Sequence, residues 1–374
     1  MKLVVDIINF EHGRAYGYEE YLFNLLHYFA AHRSEIDAEN VIVACQLEQL
    51  DYLKSSFADK FHYFALEGSS YMKRFYNSAR LPYLLHLSEK DVILYTINYM
   101  PLLNSKCRKI LVIHDLLFRH PEFCSRSLSF LFFRFQRYVY VPASLRKADK
   151  VIAISEFTKK EIMHYYNTNP DKIETIYNFF NFGKYNSDDV CEINEIKKPF
   201  FLSICSGVRH KNHEVMLRAF NKYCEKNSTD LFVLVGSLYP SAMHYLKSLS
   251  IEVQQRVVLL SHISNADINY LYKNAKGYIS ASLFEGLGMP VVEALHFNLP
   301  TFLSDTEIHR EVSFNKAHYF EPSDWKSLAS QMLNNTVSTD FTVEIEERYS
   351  EKNTSGRYVS VVNSLFFRGG GIQE

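Results

Sequence analysis

The sequence predicts an α/β chain made of two doubly wound domains in series. Short apolar runs rich in β-branched residues alternate with stretches whose apolar residues recur at helical spacing. The runs are continuous rather than alternating, as in parallel strands covered on both faces. This rhythm stops in a polar stretch near the middle of the chain and then restarts. The length agrees, because 374 residues exceed the roughly 100–200 of one ordinary domain and leave room for a core in each of two.

The first element is the run Leu3 to Asn9. A polar loop with Gly13 and Gly17 follows, then a helix over Tyr18 to Ala31 in which Tyr21, Leu22, Leu25, Leu26 and Phe29 share one face. Similar β-runs stand at Val41 to Cys45, Val92 to Tyr95, Ile110 to Ile113 and Val151 to Ile154. Residues 1–182 make the first domain. Between Asn181 and Pro199 the chain turns polar and charged, which sets a linker at 183–199. The second domain, 200–347, repeats the pattern with runs at Phe200 to Ile204, Leu231 to Val235, Val257 to Leu260, Gly277 to Ser280 and Thr301 to Leu303. Its helices fall near His213 to Cys224, at Ala266 to Asn274 and from Pro290. The tail over 348–367 has helical spacing (Tyr358, Val361, Val362, Leu365, Phe366), and Gly369 to Gly371 ends it. Two Rossmann-like domains in tandem place a ligand in the cleft they face, where strand carboxyl ends and helix N-termini favour phosphate.

Composition removes several classes of function. Hydrophobic residues at 47% and charged residues at 22% fit a soluble globular chain, and 13 Gly with 10 Pro exclude collagen-like architectures. Lys and Arg total 41 against 42 acids, so the formal charge of −1 argues against nucleic acid as a partner. The six cysteines are scattered, without C-x-x-C or zinc spacing, as in a reduced compartment. Asp6 comes too early for a signal peptide. The most apolar stretch, Leu128 to Val141, is broken by Arg134 and Arg137, and no run reaches the ~18 residues of a membrane span. A cytoplasmic protein is expected.

The chemistry concentrates in Ser280 to Ala294, where a strand gives way to a loop with Gly286 and Gly288 and then to a helix opened by Pro290. Glycines let a ligand approach the backbone, and exposed N–H groups suit phosphate oxygens. Glu285 in the loop and Glu293 in the helix, with seven residues between them, are poor phosphate ligands. They suit sugar hydroxyls, from which they accept hydrogen bonds.

The string Phe284-Glu285-Gly286-Leu287-Gly288-Met289-Pro290 with Glu293-Ala294 resembles the E-x7-E region of GT-B glycosyltransferases, in the pattern of the large retaining glycosyltransferase family 4. Other segments agree in order. His114-Asp115 after an apolar strand is similar to the family's H-D motif on the acceptor side. Ser155 to Lys160 resembles S-x-F-S/T-K, where Ser155 reads best as a helix N-cap. Ile173 to Asn178, Leu231 to Gly236, Glu311 and His318 to Asp324 match further landmarks, and the likeness is weakest over Gln46 to Asp91. Ser203 to Asn212 resembles the glycine-led loop whose lysine, here Lys211, approaches the donor diphosphate. Cys205 stands where glycine is usual and Ser206 where arginine is common, and Arg209 is placed to supply the second charge. Gly17 and Tyr21 fit the family's G-x-G-R-Y opening, whereas Glu19 and Glu20 replace its second glycine and its arginine, and an acid there repels phosphate unless it points away. Asn298 replaces a frequent glycine, a mild change because Asn tolerates positive φ.

The resemblance implies the GT-B fold, with a C-terminal helix crossing back to the N-terminal domain. It implies a retaining, metal-independent hexosyltransferase without cofactor. Its substrate is a nucleotide-diphosphate sugar, GDP-mannose or a UDP-sugar, and its acceptor a glycan hydroxyl, lipid-linked, in bacterial polysaccharide or O-antigen assembly. His114, Glu285 and Lys211 are then catalytic. Arg209, Lys211, Glu285, Gly286, Leu287, Gly288 and Glu293 bind the donor, and Gly17, His114 and Asp115 lie on the acceptor side. The chain holds no Asp-x-Asp, and Lys211 with a helix dipole does the work of a metal. Two aromatic and basic segments, Tyr71 to Arg80 and Phe130 to Tyr140, admit a peripheral contact with the inner membrane. The second reads more plainly as a packed helix with its arginines reaching outward. The rivals are a GT-B sugar-nucleotide epimerase or hydrolase, which needs no acceptor, and a catalytically silent GT-B partner subunit. The absence of a G-x-G-x-x-G after the first strand argues against a nicotinamide dehydrogenase.

Overall fold

The computed structural model describes residues 1–10, 16–68, 70–97, 102–124, 128–181, 193, 196–334 and 340–366, without the side chains of 16 and 129. Most of the expected linker 183–199 lies outside them, as do Gly13, Cys191 and Gly369 to Gly371.

The first unit opens with β1 (Lys2–Asp6), α1 (Tyr16–Ala31), β2 (Asn40–Gln46), α2 (Leu50–Phe57), β3 (His62–Leu66) and α3 (Tyr71–Leu84). It continues with β4 (Val92–Tyr95), β5 (Arg108–Ile113), α4 (Leu128–Lys147), β6 (Lys150–Ala153), α5 (Glu156–Tyr166) and β7 (Ile173–Thr175). The strands form one sheet in the order β3-β2-β1-β4-β5-β6-β7, every pair parallel. The order reverses at β1, where Leu3 pairs with both Val41 and Val92. Leu3, Val4, Val5 and Val92 to Leu94 are fully buried, which is why these strands show no alternation in sequence. β1 stops at Asp6, earlier than the apolar run suggested, because the Asp6 carboxylate accepts the Ile8 N–H at 3.1 Å and turns the chain. β3, at the sheet edge, is a half-buried His-Tyr-Phe-Ala-Leu, and its mixed composition hid it from the sequence reading. Ser155 does cap α5, its Oγ accepting the Thr158 N–H at 3.0 Å.

The second unit runs β8 (Phe200–Cys205), α6 (His213–Cys224), β9 (Leu231–Gly236), α7 (Pro240–Ser248), α8 (Ile251–Gln255), β10 (Val257–Leu260) and α9 (Asn265–Asn274). Then come β11 (Gly277–Ser280), α10 (Met289–His296), β12 (Thr301–Ser304), α11 (Glu307–Val312), β13 (His318–Phe320), α12 (Trp325–Asn334) and α13 (Thr342–Tyr349). Its sheet, β10-β9-β8-β11-β12-β13, is also parallel throughout and reverses at β8. Phe201, Phe220, Phe232, Ile279 and Phe302 fill its core. Gly236 closes β9 opposite Cys205 with φ 114°, and a Cβ there would lie 1.8 Å from the Cys205 carbonyl oxygen, so no other residue fits.

The tail departs from a single helix over 348–367. α13 ends at Tyr349, and α14 (Ser355–Phe366) starts only after residues 350–354. There the Ser350 carbonyl accepts the Thr354 N–H in a single turn, and the Thr354 hydroxyl competes for the same carbonyl. The division into compact units groups Met1–Arg119, Leu128–Phe179 and Tyr349–Glu374 as one, and His120–Ser127 with Phe180–Arg348 as the other. α14 lies against α1, with Tyr21 Oη donating to Tyr358 Oη at 3.0 Å and Asn363 Nδ2 to the Glu35 carbonyl at 2.7 Å.

Candidate functional site

In the second unit two loops meet at the carboxyl ends of neighbouring strands. After β8 the chain makes a single 3-10 turn over Arg209–Lys211 and reverses at Asn212, whose left-handed conformation (φ 52°) tolerates Asn. Asn212 Nδ2 donates to the Pro322 carbonyl at 2.9 Å. After β11 the second loop is tied to the first by the Leu283 N–H, which donates to the His210 carbonyl at 2.8 Å. Lys211 Nζ, held on this double loop, donates to Glu285 Oε1 at 2.5 Å. Gly288 caps α10 with φ 86°, a conformation that calls for glycine. Leu287 is buried beneath the loop, and Gly286 is half-buried.

Burial alone would push the Glu285 carboxyl upward. The Lys211 and His210 charges, and hydrogen bonds from Lys211 and Ser282, reverse this and bring it down to about 2. Glu285 is therefore a preformed anion that can accept hydrogen bonds from hydroxyls across the physiological range. Glu293, 8% exposed, accepts the Tyr272 hydroxyl at 2.7 Å. Burial raises the Tyr278 phenol well above its usual range, and the fields of Glu293 and then Glu285 add to that, so both carboxylates lie near one buried ring. Arg209, by contrast, is exposed. The fold joins Lys211 to Glu285 and leaves Arg209 outside that contact. The Cys205 thiol is pushed up to about 12 by burial against the opposing pull of Lys211, and stays neutral.

The sequence reading missed His309, which is fully buried under the Glu285 loop. Its Nδ1 lies 2.8 Å from the Ser304 carbonyl, which fixes the proton there, and Nε2 lies 3.3 Å from Ser280 Oγ. Burial pushes its pKa down and keeps the ring neutral. Ser304 Oγ in turn donates to the Ser282 carbonyl at 2.6 Å, which steadies the loop three residues before Glu285. No local signal marks this cage, because its members come from β11, β12 and α11. Burial, then the charges of Lys211 and His210, also depress the His213 pKa to about 4.

In the first unit His114 follows β5. Its Nε2 is 2.9 Å from the Thr96 carbonyl, and its ring stands edge-on to Tyr21 at 4.8 Å and to Tyr18 at 5.4 Å. Burial lowers its pKa against the Thr96 bond and Asp115. The neutral ring with its proton on Nε2 presents Nδ1 as an acceptor. Asp115 Oδ1 accepts the Leu117 N–H at 2.9 Å and so shapes the turn after His114. Gly17 is the second residue of α1, is exposed, and has room for a side chain, so neither its φ nor crowding requires glycine. Its N–H is among those a helix start leaves without an intrahelical partner. Asp6, at the end of β1, is 2% exposed. Burial pushes its carboxyl up to about 6, despite hydrogen bonds from Ser78 and the Ile8 N–H. Among the described residues, no group of three or more His, Cys, Asp or Glu could hold a metal ion, and no helix is long and apolar enough to cross a membrane.

Comparison with known proteins bears on both units. Residues 17–183 match the family model described as Glycosyltransferase Family 4, and residues 189–348 the one described as Glycosyl transferases group 1. The O-antigen chain mannosyltransferase RfbU of Salmonella typhimurium is 27% identical over 67% of this chain and 66% of its own length. The serotype-specific mannosyltransferase WbdA of Escherichia coli is 23% identical over 56% of this chain and 27% of its own length. The chain thus spans less than two thirds of either relative. A glycosyltransferase from Rickettsia africae superposes with a TM-score of 0.69 at 14% identity, covering 98% of this chain and 99% of that one. Anabaena HepE, solved in complex with UDP and glucose, gives 0.68 at 14% identity over 97% of this chain and 100% of its own. These structural likenesses establish the GT-B fold.

Proposed function

The chain belongs to the glycosyltransferases, with a family 4 N-terminal half and a group 1 C-terminal half, and from that premise we propose that it transfers mannose from GDP-mannose to a hydroxyl of a lipid-linked surface glycan. The transfer retains anomeric configuration and needs no metal. The Lys211–Glu285 pair carries this reading, because it puts a fixed cation and a fixed anion on one rigid double loop. Lysine has three N–H donors. One holds Glu285, and the others serve the donor diphosphate. As the bond from sugar C1 to the diphosphate oxygen breaks, charge grows on that oxygen, and a preorganised cation stabilises the transition state more than the ground state. The acceptor oxygen bonds to C1 on the same face and its proton passes to the departing phosphate oxygen. Glu285 orients the sugar through its hydroxyls, Glu293 the ribose, and His114 accepts a hydrogen bond at Nδ1 from a hydroxyl of the reacting sugar or the acceptor. Gly286, Leu287 and Gly288 line the donor with backbone, Arg209 adds charge at the rim, and Gly17 and Asp115 shape the acceptor side. Mannose is favoured because RfbU and WbdA are mannosyltransferases, and the O-antigen chain that RfbU's name gives favours O-antigen assembly.

A thermal-shift screen against GDP, UDP, ADP and dTDP, with and without Mg²⁺, tests the donor site. A ligand that binds only the folded state stabilises it by about 2.7 kcal/mol at a hundred times its Kd. The expected result is a shift with GDP and GDP-mannose that is the same without Mg²⁺. A shift with UDP alone would replace mannose by a UDP-linked sugar, and no shift at all would leave a silent partner subunit as the better reading.

A further inference from the structure

α14 brings a late segment of the chain against the opening helix, and the contact it makes there reaches the histidine on the acceptor side. Tyr21 on α1 and Tyr358 on α14 are both buried. Their ring centroids lie 6.1 Å apart, and Tyr21 Oη donates to Tyr358 Oη at 3.0 Å across 337 residues of sequence. Burial pushes both phenols above their usual range, so both keep their protons. The same Tyr21 ring meets the His114 imidazole edge-on, at 4.8 Å and 79°. Tyr21 is thus anchored by its hydroxyl to α14 and presents its ring to His114.

The other supports of His114 come from the sheet. Its Nε2 donates to the Thr96 carbonyl at 2.9 Å. The Thr96 hydroxyl donates to the Asp6 carbonyl at 2.6 Å. A hydroxyl has one proton, so in the 2.6 Å contact between Thr96 Oγ1 and Tyr18 Oη it is Tyr18 that donates. Tyr18 then closes a second side of the imidazole, edge-on at 5.4 Å. Thr96 is fully buried directly after β4, so the sheet sets both Nε2 and the Tyr18 side. The Tyr21 side is set by α14. One hydrogen bond at Nε2 lets a ring swing about that bond, and packed ring edges stop it. We propose that Tyr358 is a positioning residue: by holding the Tyr21 hydroxyl it holds the Tyr21 ring, which keeps the His114 imidazole in the plane that offers Nδ1 to a hydroxyl. Phenylalanine at 358 would fill the same space without the acceptor. A buried Tyr21 hydroxyl left without a partner has to move to find one, and its ring moves with it. That the hydroxyl offered to Nδ1 belongs to a sugar rests on the transfer proposed above, whereas the hold on the ring does not.

The test is long-range ¹H–¹⁵N NMR of the full chain labelled with ¹⁵N-histidine, the His114 signals being those lost in His114→Gln. The parent should show a neutral His114 at neutral pH, with its proton on Nε2. In Tyr358→Phe its two nitrogen shifts should move toward each other, as the ring loosens and the tautomers mix. Tyr21→Phe breaks the same bond from the other end and should do the same. Val362, on α14 and fully buried, supplies the control: Val362→Ala should lower Tm and leave the His114 shifts in place. In all three variants GDP should raise Tm as in the parent, because the donor loops belong to the second unit. Unmoved His114 shifts in either tyrosine variant, or equal movement in Val362→Ala, overturn the role of Tyr358. So does a parent with its proton on Nδ1. Moved shifts without any nucleotide effect on Tm would leave the positioning role standing and remove the donor reading alone.

Discussion

Each of the two sheets leads to a carboxylate at its carboxyl edge, Asp6 buried and Glu285 half-buried, and the two are driven in opposite directions. Asp6 ends β1 in the first unit and is raised to about 6. Glu285 follows β11 in the second and is lowered to about 2. Desolvation pushes both upward, so burial is not the difference. Asp6 is answered by a hydroxyl and an amide, and Glu285 by an ammonium with a histidine nearby. Neutral donors do not offset the loss of water around a carboxylate, whereas a cation at 2.5 Å more than offsets it. One carboxyl shapes the end of a strand, and the other is kept ready as an anion.

Removing the cation should collapse that contrast, and it is the largest effect expected. Lys211→Ala leaves Glu285 partly desolvated without its main counter-charge, so its carboxyl should rise, as that of Asp6 has. Loss of one preorganised transition-state donor costs about 10²–10³ in rate. The expected kcat falls by that factor, and the acid limb of the remaining activity moves toward neutral pH. Lys211→Arg should restore part of the rate. Full activity in Lys211→Ala would take the lysine out of the mechanism.

The comparison also shows which parts of the molecule were legible beforehand. The strands β1, β4, β5, β8 and β11, buried over most of their length, announce themselves as largely apolar runs, because both faces of each are covered. Gly288 and Asn298 stand out as residues that tolerate positive φ, and the structure gives them 86° and 52°. The Lys211 and Glu285 loops were marked by local strings. The edge strand β3 and the turn at 350–354 were not, since half-buried edges and local Ser/Thr bonding leave no periodicity. His309 with Ser280 and Ser304 was invisible for a different reason: its chemistry exists only after three distant segments have packed. The elevated Asp6 likewise depends on burial that only the packed fold supplies, and the Ser78 hydroxyl that opposes the rise comes from 72 residues away.

The second prediction acts on the other carboxylate. A folded-state pKa raised from 3.8 to about 6 gives stability that is fully present below pH ~4 and is lost as pH rises through 6. Two pKa units correspond to about 3 kcal/mol as a ceiling. Asp6→Asn keeps the shape and an acceptor for the Ile8 N–H, and its amide can donate to Ser78 Oγ. It removes the titration. Urea unfolding should give near-equal stabilities at pH 4 and a more stable variant at pH 7, by up to that amount. A variant less stable than the parent at pH 7 would mean that the ionised Asp6 stabilises the fold, and the contrast with Glu285 would fail.

The smallest effect expected probes what holds the Glu285 loop in place apart from its charge. Ser304→Ala removes the hydroxyl that donates to the Ser282 carbonyl at 2.6 Å and leaves His309 its backbone partner at the Ser304 carbonyl. Loss of one such bond costs about 1 kcal/mol. Because the freed carbonyl belongs to the loop that carries Glu285, the cost should appear both as a lower unfolding midpoint and as a few-fold weaker hold on the donor. The Lys211–Glu285 pair itself stays intact, so kcat should change little while KM for the donor rises. A fall in kcat as large as that of Lys211→Ala would show that the serine cage, and not the cation alone, sets the position of the anion.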